Sequence, residues 1–390
     1  MAEDSLQKRT IAVSCPAGLA PILKQEILDL GYRPKQVRQT GVELEGTLQD
    51  CIRLNFLLRT AHRVHFLLAQ TRKVRNPDNL YKWVRNLPWE DHIPDQGYFS
   101  VTSRIDHPTI SDTRFANLRV KDAVVDRMRD KHGTRPDSGP DLGRTVLYLY
   151  WDQNAARIFL DTSGESLSRR GYRTDGGHAP MQETLASAII QSTCWKPGMH
   201  LINPMCGSGT LVLEALMLAM NRPPASLRHD FAFMHLKGYE EHLKPFYDRL
   251  RSEARSEVNR SPEGVFLAND SDPSAVKKKK KNARTAGVDH LIRFQVCNYD
   301  RTPVPEGEGI VVFNPPYGER MESTKSLEPL HRGIGDFMKQ KCAGKTGYLF
   351  TGNFQLAKKV GLRSSRRIPF YNSTLECRLI EYELFQGSAD

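Results

Sequence analysis

The sequence predicts an α+β N-terminal half, ferredoxin-like at its start, followed by a Rossmann-like, doubly wound α/β half. Three observations carry this. From residue 180 onward apolar strands alternate with helices, the pattern of a parallel sheet covered on both faces. One of those strands, Met199–Ile202, runs through the glycine-rich turn Cys206-Gly207-Ser208-Gly209 directly into an apolar helix over 211–220. Residues 10–70 instead alternate short strands with helices in the order of a small α+β unit.

The bulk numbers set the frame. A chain of 390 residues is long enough for two or three domains. Hydrophobic content of 39% and charged content of 26% are those of an ordinary water-soluble globular protein. Met1 to Thr10 is charged and lacks the apolar stretch of a secretory signal, and no apolar run is long enough to span a membrane. Seven cysteines lie scattered without a CxxC pair, which predicts reduced thiols and neither a disulfide framework nor a zinc site. A cytoplasmic protein with no membrane and no metal is expected. The net charge of +11, spread over both halves, points to a polyanionic partner; simple solubility is the competing explanation.

In the N-terminal half, Thr10–Ser14 reads as a strand. A helix over 17–30 follows, with Leu19, Ile22, Leu23, Ile27 and Leu30 on one face and Gly31 closing it. Gly41 to Gly46 alternates as a half-buried strand, a second helix spans 47–58, and a strand lies around 64–69. In the next unit 98–104 is a strand. The helix 115–131 is expected to turn Phe115, Leu118, Val120 (weakly), Val124, Val125 and Met128 inward, and Arg114, Arg119, Lys121, Arg127 and Arg129 outward. Residues 146–151 and 157–161 form a strand pair. The basic run Ser168-Arg169-Arg170-Gly171-Tyr172-Arg173 and the linker Thr174-Asp175-Gly176-Gly177 end this half.

The C-terminal half opens with an apolar helix over 183–193. Strand, glycine-rich turn and helix at 199–220 have the form of a nucleotide-type cofactor site, in which the glycines let the backbone come close to the ligand. The acid that would hold a ribose belongs at the end of the next strand, 266–270, where Asp270 is favoured and Asp272 is second. Asp272 also precedes a proline as a helix N-cap would. Residues 221–264 are an insertion between these strands. The following helix carries five consecutive lysines, Lys277 to Lys281. A solvated face, an RNA-phosphate contact and a nuclear address compete, the solvated face being favoured; with Ala275, Lys279, Asn282 and Ala283 on the sheet side, at least one lysine must snorkel. The third strand, 293–297, ends at Asn298-Tyr299-Asp300, polar groups suited to an adenine amine. The fourth, 310–313, ends at Asn314-Pro315-Pro316-Tyr317. A helix, a strand over 346–351, a helix and a closing pair over 364–370 and 376–384 complete seven strands.

Two prolines cannot continue a sheet, because they offer no N–H to the ladder. Asn314 and the adjacent free carbonyls are therefore a compact set of acceptors at a strand end, with an aromatic ring beside them, which suits a planar base held by its exocyclic amine. Ligands of open α/β sheets sit beyond the carboxyl ends of the strands. The four polar strand ends are expected to converge there.

Taken together, Phe115-Ala116-Asn117-Leu118-Arg119-Val120-Lys121-Asp122-Ala123, Arg170-Gly171-Tyr172-Arg173, Glu183-Thr184-Leu185-Ala186, Pro204 to Thr210, Asn314 to Arg320 and Glu376-Cys377-Arg378-Leu379 run in the order seen in THUMP-domain RNA methyltransferases. Nearly the whole chain resembles this family, and most closely its bacterial large-subunit rRNA guanine-N2 methyltransferase type. The resemblance implies a ferredoxin-like domain over 1–70, a THUMP RNA-binding domain over 71–165, a linker over 166–180 and a Rossmann-like class I methyltransferase domain over 181–390. It implies S-adenosyl-L-methionine as cofactor, held by Asn203, Pro204, Cys206, Gly207, Ser208, Gly209, Thr210, Asp270, Asp272, Asn298, Asp300 and Glu183. Asn314, Pro315, Pro316 and Tyr317 are then catalytic, and Arg119, Lys121, Arg169, Arg170 and Arg173 are RNA contacts. Some members carry a second, fused methyltransferase domain, and this chain implies one modification. Two positions depart from the family pattern: Asn203 and Asn298 stand where Asp is usual, which removes a negative charge and keeps hydrogen-bonding capacity.

The expected reaction is methyl transfer to the N2 amine of a guanine in 23S rRNA. Asn314 Oδ1 and the Pro315 carbonyl accept the amine protons, and Tyr317 stacks on the base. The same chemistry on tRNA, and a non-catalytic RNA-binding assembly factor, are the alternatives.

Overall fold

The structure is a computed structural model and describes residues 6–107, 110, 112–133, 135–173, 181–316 and 325–385. The chain forms two units that are not contiguous in sequence. One holds Met1–Cys15, Leu23–Leu167 and Arg228–Glu253; the other holds Pro16–Ile22, Ser168–Leu227 and Ala254–Asp390.

The first unit is built on one eight-stranded sheet. Its strands are β1 (Arg9–Ser14), β2 (Pro34–Arg38), β3 (Gly41–Gly46), β4 (Arg63–Thr71), β5 (Tyr98–Asp106), β6 (Asp137–Ser138), β7 (Thr145–Asp152) and β8 (Ala155–Asp161), in the spatial order β2-β3-β1-β4-β8-β7-β5-β6. Antiparallel pairing of β4 with β8 fuses the two expected α+β units into this single sheet. Strand alternation follows the sequence pattern: Ile11 and Val13 of β1 and Val42 and Leu44 of β3 are buried on the same face. Its helices are α1 (Ala20–Asp29), α2 (Leu48–Leu57), α3 (Pro77–Arg85) and α4 (Thr113–His132). A capping box starts α2, with Thr47 Oγ1 accepting from the Asp50 amide and the Asp50 carboxylate accepting from the Thr47 amide. Buried Asn55 of α2 donates to Thr162 Oγ1 at 2.8 Å and accepts from Ser163 Oγ, tying the helix to the end of β8.

The inward face expected for α4 holds at Val120, Val124, Val125 and Met128 and is corrected at Phe115 and Leu118. Phe115 and Leu118 are 49% and 51% exposed, and the buried residues are Ala116, Val120, Ala123, Val124, Val125 and Met128. Residues 116, 120 and 123 fall within one narrow arc of a 3.6-residue helix, and two alanines on that arc let α4 approach β5 closely; Leu118 lies nearly opposite. The insertion after α6 (Thr210–Ala219, below) contributes Arg228–Glu253 to this unit. Its Phe231 and Phe233 stack with ring centroids 4.9 Å apart, and Tyr247 of helix Lys244–Ser256 meets Phe56 of α2 edge-on.

The second unit has a seven-stranded sheet, as expected. Strands β9 (His200–Asn203), β10 (Phe266–Asp270), β11 (Ile292–Val296), β12 (Gly309–Phe313), β13 (Thr346–Thr351), β14 (Arg366–Asn372) and β15 (Leu375–Glu383) lie in the order β11-β10-β9-β12-β13-β15-β14. All neighbours are parallel except in the closing hairpin, where β15 runs antiparallel to both β13 and β14. The helices are α5 (Glu183–Gln191), α6, α7 (Pro273–Thr285), α8 (Glu328–Lys341) and α9 (Phe354–Lys358). Val311 and Phe313 of β12 are fully buried and pack in one cluster with Ile334, Phe337 and Met338 of α8. Strand order reverses between β9 and β12, so the carboxyl ends of these two strands border the switch-point crevice where open α/β sheets bind ligands. Asn203 ends one and Asn314 follows the other.

Candidate active site

At the switch point Asn203 is fully buried. Its Nδ2 donates to the Val312 carbonyl at 2.6 Å, clamping β9 to β12, while its Oδ1 is buried with no hydrogen-bond partner among the described residues. A buried carbonyl oxygen left in this state favours a ligand donor, because an unmet acceptor costs about 1–3 kcal/mol.

The glycine turn is held from below by β10. The Cys206 amide donates to the Asn269 carbonyl at 3.0 Å, and the Gly207 amide donates to Asp270 Oδ2 at 2.8 Å. Gly207 and Gly209 have φ of 50° and 77°, in the left-handed region that strains any L side chain. A Cβ on Gly207 would meet nothing within 4 Å, whereas one on Gly209 would lie 3.0 Å from Lys279 Cβ. The first glycine therefore clears space and the second admits α7 to the turn.

Lys279 lies on the sheet side of α7, where the sequence reading placed it. Its side chain is 1% exposed, and instead of snorkelling outward it ends inside the turn, where Nζ donates to Cys206 Sγ at 2.6 Å and lies 4.0 Å from Asp270 Oδ2. Burial pushes the Cys206 thiol up to about 11 against the opposing pull of Lys279, so the sulfur stays protonated and donates to the Asn269 carbonyl. Asn282, one turn on, reaches the Ser208 carbonyl at 3.4 Å.

A cleft of 310 Å³ is lined by Asn203, Met205, the turn residues Cys206, Gly207, Ser208 and Thr210, and Asn314; Met181, Leu211, Asp272, Ser274, Ala275 and Lys278 complete it. That volume is at the lower end of the small-molecule range. Asp270 sits just behind the wall, its Oδ1 accepting from the Asp272 amide at 3.1 Å. Asp272 caps α7 through the Ser274 hydroxyl and amide, which hold its carboxyl below the usual range. Pro204 and Pro315 are buried and Pro316 is exposed. Tyr317 lies outside the described residues. Asn298 and Asp300 are exposed beyond β11 and do not line the cleft; Asn298 Oδ1 accepts from the Tyr299 amide. Glu183 is buried 3.4 Å from Arg173, and burial raises its carboxyl against the pull of that guanidinium. Arg173 in turn donates to Thr210 Oγ1 and to the Met181 carbonyl, both at 3.0 Å. The pair thus braces the cleft wall from outside it. Met181 and Met205 carry no sequence signal that separates them from core methionines.

The expected RNA-contact arginines divide. Arg170 is corrected: it is 1% exposed and pairs with buried Glu214 at 3.5 Å, beside Tyr172, whose hydroxyl also donates to Glu214. A guanidinium enclosed in this way cannot reach a phosphate. Arg169 is exposed. In the first unit Arg119 pairs with Asp78 at 2.7 Å and stacks over Tyr81, and Lys121 is half-buried. Lys277, Lys278, Lys280 and Lys281 are exposed, with Arg284, on one face of α7. Among the described residues no cluster of His, Cys, Asp and Glu suited to a metal is present, and no helix is long and apolar enough to cross a membrane.

Comparison with known proteins adds three matches to family models: an RMKL-like methyltransferase domain over residues 170–381, an RlmL ferredoxin-like domain over 10–65 and a THUMP domain over 74–160. Ribosomal RNA large subunit methyltransferase K/L of Syntrophotalea carbinolica is 36% identical over 381 residues, covering 95% of this chain and 53% of the relative. The chain thus spans about half the length of that relative. The protein slr0064 of Synechocystis sp., whose name assigns it provisionally to the RNA methyltransferases, is 32% identical over 94% of this chain and 95% of its own length. Among solved structures SMU.472, crystallised with SAH and provisionally named a methyltransferase, matches with a TM-score of 0.87 and 25% identity, over 98% of this chain and 100% of its own.

Proposed function

The chain belongs to the RMKL-like methyltransferase family, with the RlmL ferredoxin-like and THUMP domains ahead of the methyltransferase domain, and on that premise we propose that it methylates the exocyclic N2 amine of a guanine in 23S rRNA, with S-adenosyl-L-methionine as methyl donor. The observation that carries this reading is that Asn203, the glycine turn and Asn314 line one cleft at the switch point of the sheet. The K/L relatives support rRNA as substrate, and the SAH held by SMU.472 supports the donor.

When bound, S-adenosyl-L-methionine supplies an electrophilic methyl group. The chain's residues fit it: the unpartnered Asn203 Oδ1 is an acceptor for an ammonium group, and Gly207 leaves open space where a side chain would stand. Asp270, already fixed by two backbone amides, keeps lone pairs for ribose hydroxyls. The Ser208 and Thr210 hydroxyls, 2.8 Å from each other in the cleft wall, would complete the donor's polar surroundings.

The guanine N2 amine is a weak nucleophile, because its lone pair is delocalised into the ring. Asn314 Oδ1 and the Pro315 carbonyl accept its two protons, which favours a more tetrahedral nitrogen with its lone pair aimed at the methyl group. Tyr317, by its position in the motif, stacks on the base. Alignment and desolvation supply the rest of the rate. A paired guanine must first leave its helix.

Mass spectrometry of rRNA and tRNA nucleosides from a strain lacking the gene tests the substrate class. Loss of N2-methylguanosine from 23S rRNA supports the reading; loss confined to tRNA moves the same chemistry to the other RNA.

A further inference from the structure

Laid against the sheet, α7 sorts its lysines. Val276, Lys279, Asn282 and Ala283 are buried, while Lys277, Lys278, Lys280, Lys281 and Arg284 stand exposed on the opposite arc of the helix. No acid interrupts the run from Pro273 to Thr285. Carboxylates stand at its two ends, Asp272 capping the first turn and Asp289 pairing with Arg284 at 3.3 Å. Lys277, Lys278 and Lys280 form no ion pair among the described residues, and Lys280 lies 5.7 Å from the ring centroid of Phe294 on β11. A helix face that serves solubility alone gains from alternating its charges, because like charges three or four residues apart repel. Here Lys277–Lys281 and Lys280–Arg284 are like pairs at i,i+4, and Lys277–Lys280 and Lys281–Arg284 at i,i+3. The helix bears that repulsion, and a polyanion laid along it would relieve it.

The place of this face in the fold says which polyanion it suits. A cavity of 670 Å³ lies along it, and Lys278 lines both that cavity and the cleft that holds Asn203, the glycine turn and Asn314. The cationic surface therefore begins at the mouth of the methyl-transfer site. From Lys277 to Arg284 it runs about 10 Å along the helix at 1.5 Å per residue. A nucleotide seated in the cleft by its base carries its own phosphate, and those of its neighbours, out past that mouth. Lysine ammonium groups on flexible stems meet phosphates as point charges, which fixes position without reading sequence.

We propose that the exposed face of α7 is a docking surface for the phosphate backbone of the substrate RNA beside the target nucleotide, with Lys278 at the cleft mouth and Lys277, Lys280 and Lys281 beyond it. The proposal rests on the RNA reading above for the identity of the polymer, and it is independent of which base is methylated. The test is filter binding of the full chain to deproteinised 23S rRNA across a salt series, with Lys277→Gln/Lys280→Gln beside wild type. Neither lysine lines the cleft, so the variant keeps wild-type calorimetric affinity for S-adenosyl-L-methionine and melts no lower than wild type. Each lost phosphate contact reduces the salt slope by about 0.7 to 0.9, so the double variant is expected to lose about 1.5. The advantage of wild type then shrinks about eightfold as salt rises from about 50 to about 200 mM. Lys277→Arg/Lys280→Arg keeps the wild-type slope. An unchanged slope in the glutamine variant overturns the proposal. So does tighter binding of a polyglutamate peptide than of rRNA, which assigns the face to an acidic protein. Methyl transfer is measured separately on the same preparations. If the salt slope depends on the two lysines but the wild-type chain transfers no methyl group to rRNA, the docking surface stands and the proposed reaction falls. If wild type transfers and the glutamine variant keeps its slope, the reaction stands and the docking surface falls.

Discussion

Lys279 Nζ lies 2.6 Å from Cys206 Sγ, inside the glycine turn and sealed from solvent. The lysine's stem packs on Gly209 and its charge sits 4.0 Å from Asp270, so one residue ties the turn to the strand end that follows it. Lys279→Met keeps the stem and removes the charge, leaving the Asp270 carboxylate beside the turn without its buried cation. Cofactor affinity measured by calorimetry is expected to fall about tenfold, with a stability loss of roughly 1–3 kcal/mol. The neighbouring variant Lys280→Met, on the exposed face, should leave both unchanged.

Asn314→Ala removes one of the two acceptors proposed for the amine. Transfer to rRNA should be abolished while calorimetric binding of S-adenosyl-L-methionine stays near wild type. Retained transfer in this variant contradicts the role given to the side chain.

Asn203→Asp restores the residue usual in the family but sets a carboxylate against the Val312 carbonyl, where the amide now donates at 2.6 Å. The apo protein should lose about 1–3 kcal/mol from this exchange of a donor for an acceptor. The bound form should recover part of it through the donor's ammonium. Thermal melts with and without S-adenosyl-L-methionine should therefore differ more in the variant than in wild type.

Asp161 in the first unit predicts an acid limit. Burial disfavours its charge, but His65 and Arg63 outweigh burial and hold the carboxyl down to about 2. Because the folded value lies below that of the unfolded chain, the stabilisation is complete above about pH 4 and is lost as pH falls toward 2. Urea melts across that window should show wild-type stability falling by about 2 kcal/mol more than that of Asp161→Asn.

Much of the site was legible because its signals are local. Gly207, Gly209, Pro315 and Pro316 break regular structure in ways set by their own backbones, and the apolar strands before them place the breaks at strand ends. What was not legible depends on partners distant in sequence. Lys279 reads as a sheet-side lysine that has to snorkel until α7 is laid on the turn at Cys206, 73 residues away. Arg170 reads as an RNA contact until Glu214, 44 residues on, encloses it. The single eight-stranded sheet needs β4 to find β8, a pairing that neither strand's alternation specifies. The weakly alternating, mostly exposed β2 offered no strand signal at all. On α4 the bulky Phe115 and Leu118 outweighed the alanines that set the packed face.

The most direct measurement is of the product itself. The purified chain is incubated with methyl-labelled S-adenosyl-L-methionine and either 23S rRNA or tRNA lacking the modification, and the RNA is digested to nucleosides for mass spectrometry. Label in N2-methylguanosine from 23S rRNA is the predicted result. Label in another nucleoside, or no label in 23S rRNA from a chain that binds the donor, contradicts the account.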